Sequence, residues 1–517
     1  MSLKEEGGRK KEEIQAMQDA RVPEGWVSVG LVDISSIEMG QSPESSSYNS
    51  IGEGLPFFQG KAEFRSVFPE IRKWCTAPAK VVEAGDILLS IRAPVGPTNI
   101  APQKSCIGRG LAGIRGEAGV NQHYLYYFFK YIEPWLSEQG TGSTFAAISG
   151  QFVREISCPV APAPEQIRIV AKLKELLADL DAGVTELKAA QKKLAQYQQS
   201  LLKSAVEGQL TADWRTQHPP TETGAELLAC ILQERRTRWE AKQLEKFAQQ
   251  GKAPPKNWQS KYPEPIPLDT RNLPTLPEGW VWANVEQLCS IQGGIQKQPS
   301  RKPINNKYPF LRVANVARGE LRLDEVHEVE LFQGEFERLV LQVGDLLIVE
   351  GNGSLTEIGR CAIWDGSIKN AVHQNHLIRA RPVVIEGAWL EVWLNSPCGI
   401  AELTELAATT SGLYTLSVSK IARIPVPIPP IDEQKEITKI LRAGRESIKE
   451  QEAAITFSLK QTTAQRQNIL RAAFAGELVP QDPSDEPASA LLERIRAQRA
   501  AQTPPQKPRG RKKKDVP

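Results

Sequence analysis

Val22-Pro23-Glu24-Gly25-Trp26-Val27 returns in the second half of the chain as Leu276-Pro277-Glu278-Gly279-Trp280-Val281. Further stretches recur in the same order: Gly85-Asp86-Ile87-Leu88-Leu89 as Gly344-Asp345-Leu346-Leu347-Ile348, and Ile156-Ser157-Cys158-Pro159-Val160 as Ile424-Pro425-Val426-Pro427-Ile428. A unit of roughly 250 residues is too long for a solenoid repeat, so the pattern indicates a duplicated domain with its connector. We therefore predict a pseudo-twofold molecule with two similar sites.

Composition places the chain among ordinary globular proteins. Its 517 residues suffice for about three domains, and 40% are hydrophobic and 24% charged. The seven cysteines form no C-x-x-C pair, which favours reduced thiols over a zinc site or a disulfide framework. No signal-like or membrane-length apolar run is present, so we expect a cytoplasmic protein.

The charge distribution is more informative than the net charge of +3. Residues 507–514 carry six positive charges, which suits a polyanion such as DNA. Basic tails also commonly serve only to solubilise a protein, so both interpretations stay open.

Each repeat opens with a globular region in which short β-like runs are broken by Gly and Pro, which predicts α+β domains. We expect strand, turn and strand over Val81–Ile91 and again over Leu339–Val349. The aromatic stretches Tyr124–Phe129 and Trp389–Leu394 are predicted to be helices whose aromatic rings lie in the core.

A proline-rich hinge and a long segment nearly free of Gly and Pro follow each globular region. About 43 residues at roughly 1.5 Å each would form a helical rod of about 60 Å. An apolar stripe with alternating spacings of three and four indicates a coiled coil. A single such stripe often marks a dimerisation helix, but two in one chain favour an intramolecular antiparallel pair. The stripe comprises Val170, Leu173, Leu177, Leu180, Val184, Leu187, Leu194, Leu201 and Ala205, and more weakly Leu441, Ile448, Ile455, Leu459, Ile469 and Ala473.

These patterns predict two homologous α/β domains separated by two long helices. The predicted segments are a charged arm (1–21), a first domain (22–162), a first spacer helix (163–208), a linker with a short helix (209–275), a second domain (276–430), a second spacer helix (431–478), and a short helix with a basic tail (479–517).

Several catalytic patterns were tested against the sequence and none is complete. Gly54–Lys61 resembles a phosphate-binding loop, but five residues instead of four separate its glycines. Asp345 and Glu350 could be nuclease carboxylates, yet Asn352 stands where a lysine is required. His373 and His376 would share a face if they lay on a helix, but no carboxylate or cysteine nearby completes a metal set. An adenine methyltransferase motif is also missing, so we predict a binding protein without catalysis or metal.

In combination, the repeated Pro-Glu-Gly-Trp, Gly-Asp-Ile/Leu-Leu, Glu-Gln and Gly-Glu/Gln-Leu motifs resemble the type I restriction-modification specificity subunits. The resemblance covers nearly all of 22–501, and the ending from Ala488 onward resembles the type IA branch. The charged arm 1–21 and the long linker 211–272 depart from the family pattern.

The resemblance implies two target recognition domains, each recognising one half of a split asymmetric DNA site, with the helices as a spacer. It implies partners as well: two methyltransferase (modification) subunits that use S-adenosylmethionine, and two restriction subunits that use ATP and Mg. These cofactors are expected on the partners and not on this chain.

Arg or Lys contacts guanine, and Asn or Gln contacts adenine, when a loop presents the side chain to the major groove. Asn352 lies between glycines that let the backbone approach DNA closely. The loops after the matched strands differ between the repeats, which predicts two different half-sites. The candidate DNA-binding residues are Gln59, Lys61, Arg65, Arg92, Arg109 and Ser143 in the first domain, and Arg312, Asn315, Arg318, Asn352, Ser354 and Ser411 in the second.

Two other hypotheses remain open at this stage. A self-sufficient restriction enzyme would need one of the catalytic motifs tested above. A coiled-coil adaptor that binds only proteins would show no DNA binding that tightens as the salt concentration falls.

Overall fold

The computed structural model describes residues 22–140, 147–351, 357–407 and 415–502. The chain divides into two compact units, which we call unit 1 (1–188 and 456–517) and unit 2 (189–455). Each unit therefore contains one globular region, the beginning of one long helix and the end of the other.

The first globular region is a mixture of short strands and three α-helices among its described residues. The longest of these helices begins after Asn121, whose side chain accepts hydrogen bonds from the main-chain N–H groups of His123 and Tyr124. The elements are β1 (Val27–Gly30), α1 (Leu31–Ile34), β2 (Ser35–Met39), β3 (Tyr48–Asn49), β4 (Leu55–Phe58), β5 (Trp74–Cys75), β6 (Val81–Val82), β7 (Ile87–Ser90), β8 (Thr98–Ile100), β9 (Ser105–Ile107), β10 (Leu111–Gly116), α2 (Gln122–Glu138), α3 (Gly150–Glu155) and β11 (Ser157–Val160).

The first long helix, α4 (Ala163–Val206), has 44 residues. Gly208 follows it in the left-handed conformation (φ 72°), which glycine commonly adopts just after a helix C-terminus. The linker contains α5 (Ala212–Gln217) and α6 (Gly224–Gln249). Helix α6 has 26 residues and is longer than the short helix predicted for the linker, because Thr223 and Glu226 form a capping box at its start and no Gly or Pro interrupts it afterwards.

The second globular region repeats the plan with additional short strands. Its elements are β12 (Val281–Asn284), α7 (Val285–Leu288), β13 (Cys289–Gly293), β14 (Lys307–Leu311), β15 (Val316–Ala317), β16 (Glu320–Leu321), β17 (His327–Glu330), α8 (Phe336–Leu339), β18 (Leu346–Val349), β19 (Cys361–Ile363), β20 (Val372–His373), β21 (Leu377–Pro382), α9 (Gly387–Asn395), α10 (Pro397–Ala407), α11 (Val418–Ala422) and β22 (Pro425–Ile428).

The second long helix, α12 (Ile431–Phe474), also has 44 residues. Gly476 follows it with a φ of 72°, matching Gly208. The last described helix is α13 (Ala488–Gln502).

The main sheet has the same topology in both units. In unit 1 its order is β2-β10-β7-β8, and in unit 2 it is β13-β21-β18-β19, with antiparallel neighbours throughout. A second sheet flanks it in each unit, β3-β5-β4-β9-β6 or β17-β14-β20. Each second sheet contains one parallel pair, β4 with β9 or β14 with β20.

The predicted aromatic helices lie in the cores, as expected. In unit 1, Phe474 at the end of α12 packs against Tyr124, Phe128 and Tyr131 of α2. The core of unit 1 also contains Leu173 and Leu177 of α4 together with Leu470 and Ala473 of α12. In unit 2 the roles are exchanged, because the core holds Leu202 and Ala205 from the end of α4 and Ile437 and Leu441 from the start of α12.

One predicted element is wrong. Strand, turn and strand are found over 81–91, as β6 and β7, but residues 340–345 form no strand before β18. The carbonyl oxygen of Val340 instead accepts hydrogen bonds from the side chains of Arg379 (3.3 Å) and Arg381 (3.0 Å), and that of Arg338 accepts from Arg379 (3.1 Å). Arginine side chains thus satisfy carbonyls that would otherwise pair with a neighbouring strand.

The repeated Trp and Glu-Gln motifs meet in each unit. The Trp26 indole donates to Glu165 Oε2 at 3.0 Å, and the Trp280 indole donates to Glu433 Oε2 at 2.9 Å. Glu433 also accepts from the Thr211 hydroxyl and from the Arg215 guanidinium, each at 2.7 Å. Glu165 Oε1 is buried with no hydrogen-bond partner among the described residues. The two carboxylates therefore occupy matching positions with very different surroundings.

Candidate nucleic-acid interface

Loops from both sheets of unit 1 meet at one edge. Since β4 and β9 are parallel, Gln59 and the turn 108–110 follow them at the same end of the sheet. Strand β7 ends and strand β10 begins there too, because Ser90 pairs with Leu111. We call residues 40–42, 59–61, 91–93 and 108–110 loop edge 1.

Main-chain hydrogen bonds fix loop edge 1. The N–H of Gly108 donates to the carbonyl of Phe58 at 2.8 Å, and that of Gln41 donates to Ile107 at 3.1 Å. The N–H of Ile91 donates to the carbonyl of Gly110 at 3.0 Å. A side chain at Gly110 would overlap the carbonyl oxygen of Gln59, so glycine is required for this close approach.

The predicted side chains Gln59, Lys61, Arg92 and Arg109 are all exposed on loop edge 1. Within the part of the chain that the structure describes, the three cationic ones form no ion pair. Arg65 differs because it pairs with Glu70, which also binds Arg72 at 2.8 Å. The hydrogen bond from Arg72 is the main cause that lowers the pKa of Glu70 below its ordinary value, so Glu70 stays a carboxylate and offsets the Arg65 charge.

Unit 2 builds the same edge with the same hydrogen bonds. The N–H of Gln374 donates to Leu311 at 2.9 Å, that of Ile295 donates to His373 at 2.9 Å, and that of Glu350 donates to His376 at 3.0 Å. We call residues 294–297, 312, 350–351 and 374–376 loop edge 2. Each of these three bonds corresponds to one bond of loop edge 1.

The predicted residues of unit 2 differ in their availability. Arg312 lies on loop edge 2 with its side chain 25% exposed and pairs with Glu325 at 3.2 Å. Arg318 is largely buried, donates to the carbonyl of Ile358 at 3.3 Å, and has a pKa lowered by burial.

Asn315 is the clearest departure from the expected exposed position. It is 2% exposed, and its side-chain amide donates to the carbonyls of Arg322 and Glu325, each at 2.8 Å. Its side-chain oxygen accepts from the N–H of Arg312 at 2.8 Å. All of these contacts hold the loop 312–325 together and leave the amide no free hydrogen-bonding group at the surface.

The two histidines do not share a helix face. His373 is a buried strand residue whose Nδ1 lies 2.8 Å from the carbonyl oxygen of Leu377, and burial lowers its pKa to about 4. His376 lies on loop edge 2, where its Nδ1 is 2.9 Å from Glu350 Oε2. The described residues contain no group of three or more His, Cys, Asp or Glu side chains that could hold a metal ion.

A basic groove adjoins loop edge 2 and was not predicted. It has a volume of about 970 Å³ and is lined by Lys297, Arg301, Lys302 and His327 among others. It adjoins the edge because His327 pairs with Phe310, next to the end of β14. The polar, basic stretch 296–302 was the available sequence signal. Gln41 of loop edge 1 is exposed and occupies the position that Ile295 has in loop edge 2. Gln41 was not among the residues predicted from the sequence either.

Four candidates, Ser143, Asn352, Ser354 and Ser411, lie outside the described residues. The described residues beside them adjoin the two edges. Ala147 forms a β-bridge with Arg92, and Thr415 forms one with Gly351.

The two segments that carry the loop edges, residues 23–191 and 277–456, each match the family model described as the type I restriction modification DNA specificity domain. The chain belongs to this family. Both loop edges, with all their described hydrogen bonds, fall inside the two DNA specificity domains. Along the sequence, the linker helix α6 lies between the two matched ranges.

Individual relatives support the same assignment. The MjaX specificity subunit of Methanocaldococcus jannaschii is 46% identical over 158 residues, which cover 30% of this chain but only 37% of that relative. The type I restriction enzyme EcoDI specificity subunit of Escherichia coli is 23% identical over 497 residues, covering 94% of this chain and 98% of the relative.

A solved structure shares the fold of this chain. It comes from work on complex assembly and conformational transition of the type I restriction-modification system, and it superposes with a TM-score of 0.63 at 17% identity. The match covers 89% of this chain and 100% of that one. The adaptor hypothesis receives no support from any of these similarities. No helix among the described residues is long and apolar enough to cross a membrane.

Proposed function

We propose that this chain is the DNA-recognition subunit of a type I restriction-modification complex and that each loop edge binds one half of a split asymmetric DNA site. One observation carries the proposal: the two edges share their main-chain hydrogen bonds but present different side chains. A common scaffold with different surface groups is what two readers of different sequences require.

The charges of the two edges favour DNA over a protein partner. Lys61, Arg92 and Arg109 crowd one exposed edge of unit 1 without ion pairs among the described residues, and Lys297 and Lys302 line the groove of unit 2. Such cations can bind phosphates, which sets affinity and position, while neighbouring groups contact base edges. Arg318 and Asn315 would then support the loops, and the other candidates would contact DNA.

The long helices would serve as an antiparallel coiled-coil spacer in a pseudo-twofold subunit. Supporting contacts occur within each unit. In unit 1, Asp181 of α4 pairs with Arg466 of α12. In unit 2, a side chain added at Gly444 of α12 would lie 2.8 Å from Leu201 of α4. In both units the start of one helix thus lies beside the end of the other, as an antiparallel pair requires.

Catalysis would belong to partner chains. We propose that two modification subunits supply S-adenosylmethionine and adenine methylation, and that two restriction subunits supply ATP- and Mg-dependent DNA translocation and cleavage. The outer faces of α4 and α12 and the helices α6 and α13 are the proposed docking surfaces. A cytoplasmic location remains a prediction.

Mapping N6-methyladenine in cells that express the modification subunit with and without this chain tests the proposal. We expect a split motif that depends on this chain. Unchanged methylation while the modification subunit is present would contradict the proposal.

A binding measurement on the purified chain distinguishes DNA binding by loop edge 1 from a general effect of the net charge on DNA binding. Replacing Lys61 and Arg92 by Ala should weaken DNA binding and reduce the salt dependence by about two phosphate contacts. A control that replaces Lys172 and Lys174 by Ala changes the net charge equally but leaves the edge intact, so it should retain binding. Equal weakening by both variants would count against loop edge 1 as the DNA-binding surface.

A further inference from the structure

We infer that Arg109 and Asn375 are equivalent specificity-determining residues, with Arg109 contacting a guanine in one half-site and Asn375 an adenine in the other. The inference rests on the proposed function and deepens it, because it assigns base identities to the two loop edges. It concerns one position in each half-site.

The equivalence follows from hydrogen bonds and not from sequence similarity, since Gly108-Arg109-Gly110 and Gln374-Asn375-His376 share no residue. Each triplet forms a turn closed by the next residue: the N–H of Leu111 donates to Gly108 at 3.0 Å, and that of Leu377 donates to Gln374 at 2.9 Å. The N–H of the first residue of each turn also donates to the last residue of the parallel strand, β4 or β14. The carbonyl of the third residue accepts from the residue that follows β7 or β18, which is Ile91 or Glu350. Arg109 and Asn375 are therefore the central residues of two equivalent turns, one in each unit.

The turn of unit 1 presents the Arg109 side chain to solvent without competition. Arg109 is exposed, and the glycines on both sides carry no side chain that could shield it. The described residues offer it no carboxylate partner, unlike Arg65, Arg72 and Arg115. Because the turn is bonded on both sides, a base contact would immobilise only the arginine side chain and not the loop, which lowers the entropic cost of binding.

The turn of unit 2 presents an amide in the same place. The main-chain N–H of Asn375 is already used, since it donates to Ile295 at 2.9 Å. Its side-chain Nδ2 lies 3.5 Å from His376 Nε2, a contact long enough to yield to a base. The neighbouring His376 ring is held by Glu350 at 2.9 Å, which keeps it from folding over the amide.

The chemistry of the two side chains assigns the bases. Arginine can donate two hydrogen bonds to O6 and N7 of guanine, and asparagine can accept from N6 and donate to N7 of adenine in the major groove. One such pair discriminates against a wrong base by roughly 5- to 150-fold. If Arg109 bound only phosphate, its removal would weaken all sequences equally.

Exchange of the two side chain types tests the inference. Wild-type chain, Arg109→Asn and Asn375→Arg are each expressed with the modification subunit in a host without other adenine methylation, and the methylated motifs are sequenced. We expect Arg109→Asn to abolish the requirement for a guanine at one position of one half-site. We expect Asn375→Arg to abolish the requirement for an adenine in the other half-site and to leave the first half unchanged.

Control variants keep the result interpretable. Arg271→Asn and Asn257→Arg, both in the linker beyond α6, make the same chemical changes away from the loop edges and the proposed docking surfaces, and should leave the motif intact. Arg109→Lys retains a cation that can contact guanine, so it should keep the guanine requirement at reduced methylation even if Arg109→Asn does not fold.

The outcomes separate this inference from the proposed function. A motif that depends on the chain but is unchanged by Arg109→Asn and Asn375→Arg overturns the inference alone. Uniformly reduced methylation with both half-sites retained also overturns it, since that result identifies phosphate contacts. Methylation that does not depend on the chain at all overturns the proposed function.

Discussion

Replacing Glu433 with glutamine should destabilise unit 2 far more than the matching replacement of Glu165 destabilises unit 1. The Glu433 carboxylate is 1% exposed and accepts hydrogen bonds from Thr211, Arg215 and Trp280. Removing one partner of a buried ion pair costs about 3–5 kcal/mol. The Arg215 side chain is 21% exposed, so water compensates part of the loss, and we expect Glu433→Gln to lower the free energy of unfolding by about 2–4 kcal/mol.

Glu165 provides the matched comparison. Its hydrogen bond from Trp26 is 3.0 Å long, and its second oxygen is buried without a partner among the described residues. Glutamine retains an acceptor for Trp26 and removes the buried charge. Glu165→Gln should therefore change the free energy of unfolding by less than about 1 kcal/mol, with stabilisation at neutral pH.

The pH dependence supplies an independent check. Burial raises the pKa of Glu165 above its ordinary value in the folded protein. The folded chain then holds this proton more tightly than the unfolded chain, so the stabilising contribution is fully present below the ordinary glutamate pKa and is lost as the pH rises through the folded-state pKa. Glu165→Gln should remove this decline, whereas Glu433→Gln should leave it in place.

Urea unfolding of the full chain, followed by far-ultraviolet circular dichroism at mildly acidic and neutral pH, measures both effects. Hydrogen exchange analysed by mass spectrometry assigns each loss of stability to unit 1 or unit 2. Equal losses for the two variants, or a larger loss for Glu165→Gln, would refute the reasoning from hydrogen-bond partners.

Three further changes have definite expected outcomes. Arg381→Ala leaves the buried Asp345 carboxylate without its bidentate partner at 2.6 and 2.7 Å, so the free energy of unfolding should fall by about 3 kcal/mol in a denaturant titration. Gly399→Ala places a Cβ against the carbonyl oxygen of Trp393 and should destabilise by about 2 kcal/mol, which a thermal unfolding scan would detect; an unchanged melting temperature would contradict the close contact. Trp258→Ala removes the stack on Trp239, whose ring centroid lies 5.9 Å away, and should raise hydrogen exchange in the linker while DNA affinity stays constant.

The repeat was predictable from the sequence, but the contacts between its motifs were not. Trp26 and Glu165 are 139 residues apart, and each belongs to a motif that recurs separately. Spacing along the chain identifies the long helices and their apolar stripes, because helical periodicity is local. The bond from Trp26 to Glu165 depends on how α4 packs into the core of unit 1, which no local pattern encodes.

The loop edges show the same limit. Gln59, Arg92 and Arg109 could be selected by residue type, but their convergence depends on the parallel pairing of β4 with β9. Asn315 has a suitable residue type and a loop position, yet three hydrogen bonds bury it in its own loop. Residue type therefore predicts which hydrogen bonds a side chain can form with DNA. The sheet topology determines which of these side chains come together at an exposed edge.

Because main-chain groups close the turns that carry Arg109 and Asn375, natural selection can alter those positions without weakening the fold. The main-chain hydrogen bonds at Gly108, Gly110, Gln374 and His376 involve no side chain of the central residue. Substitutions there should spread through populations at little thermodynamic expense, one half-site at a time. If Arg109 and Asn375 contact bases as proposed, single codon changes could thus alter one half of the recognised site while the fold of the subunit stays the same.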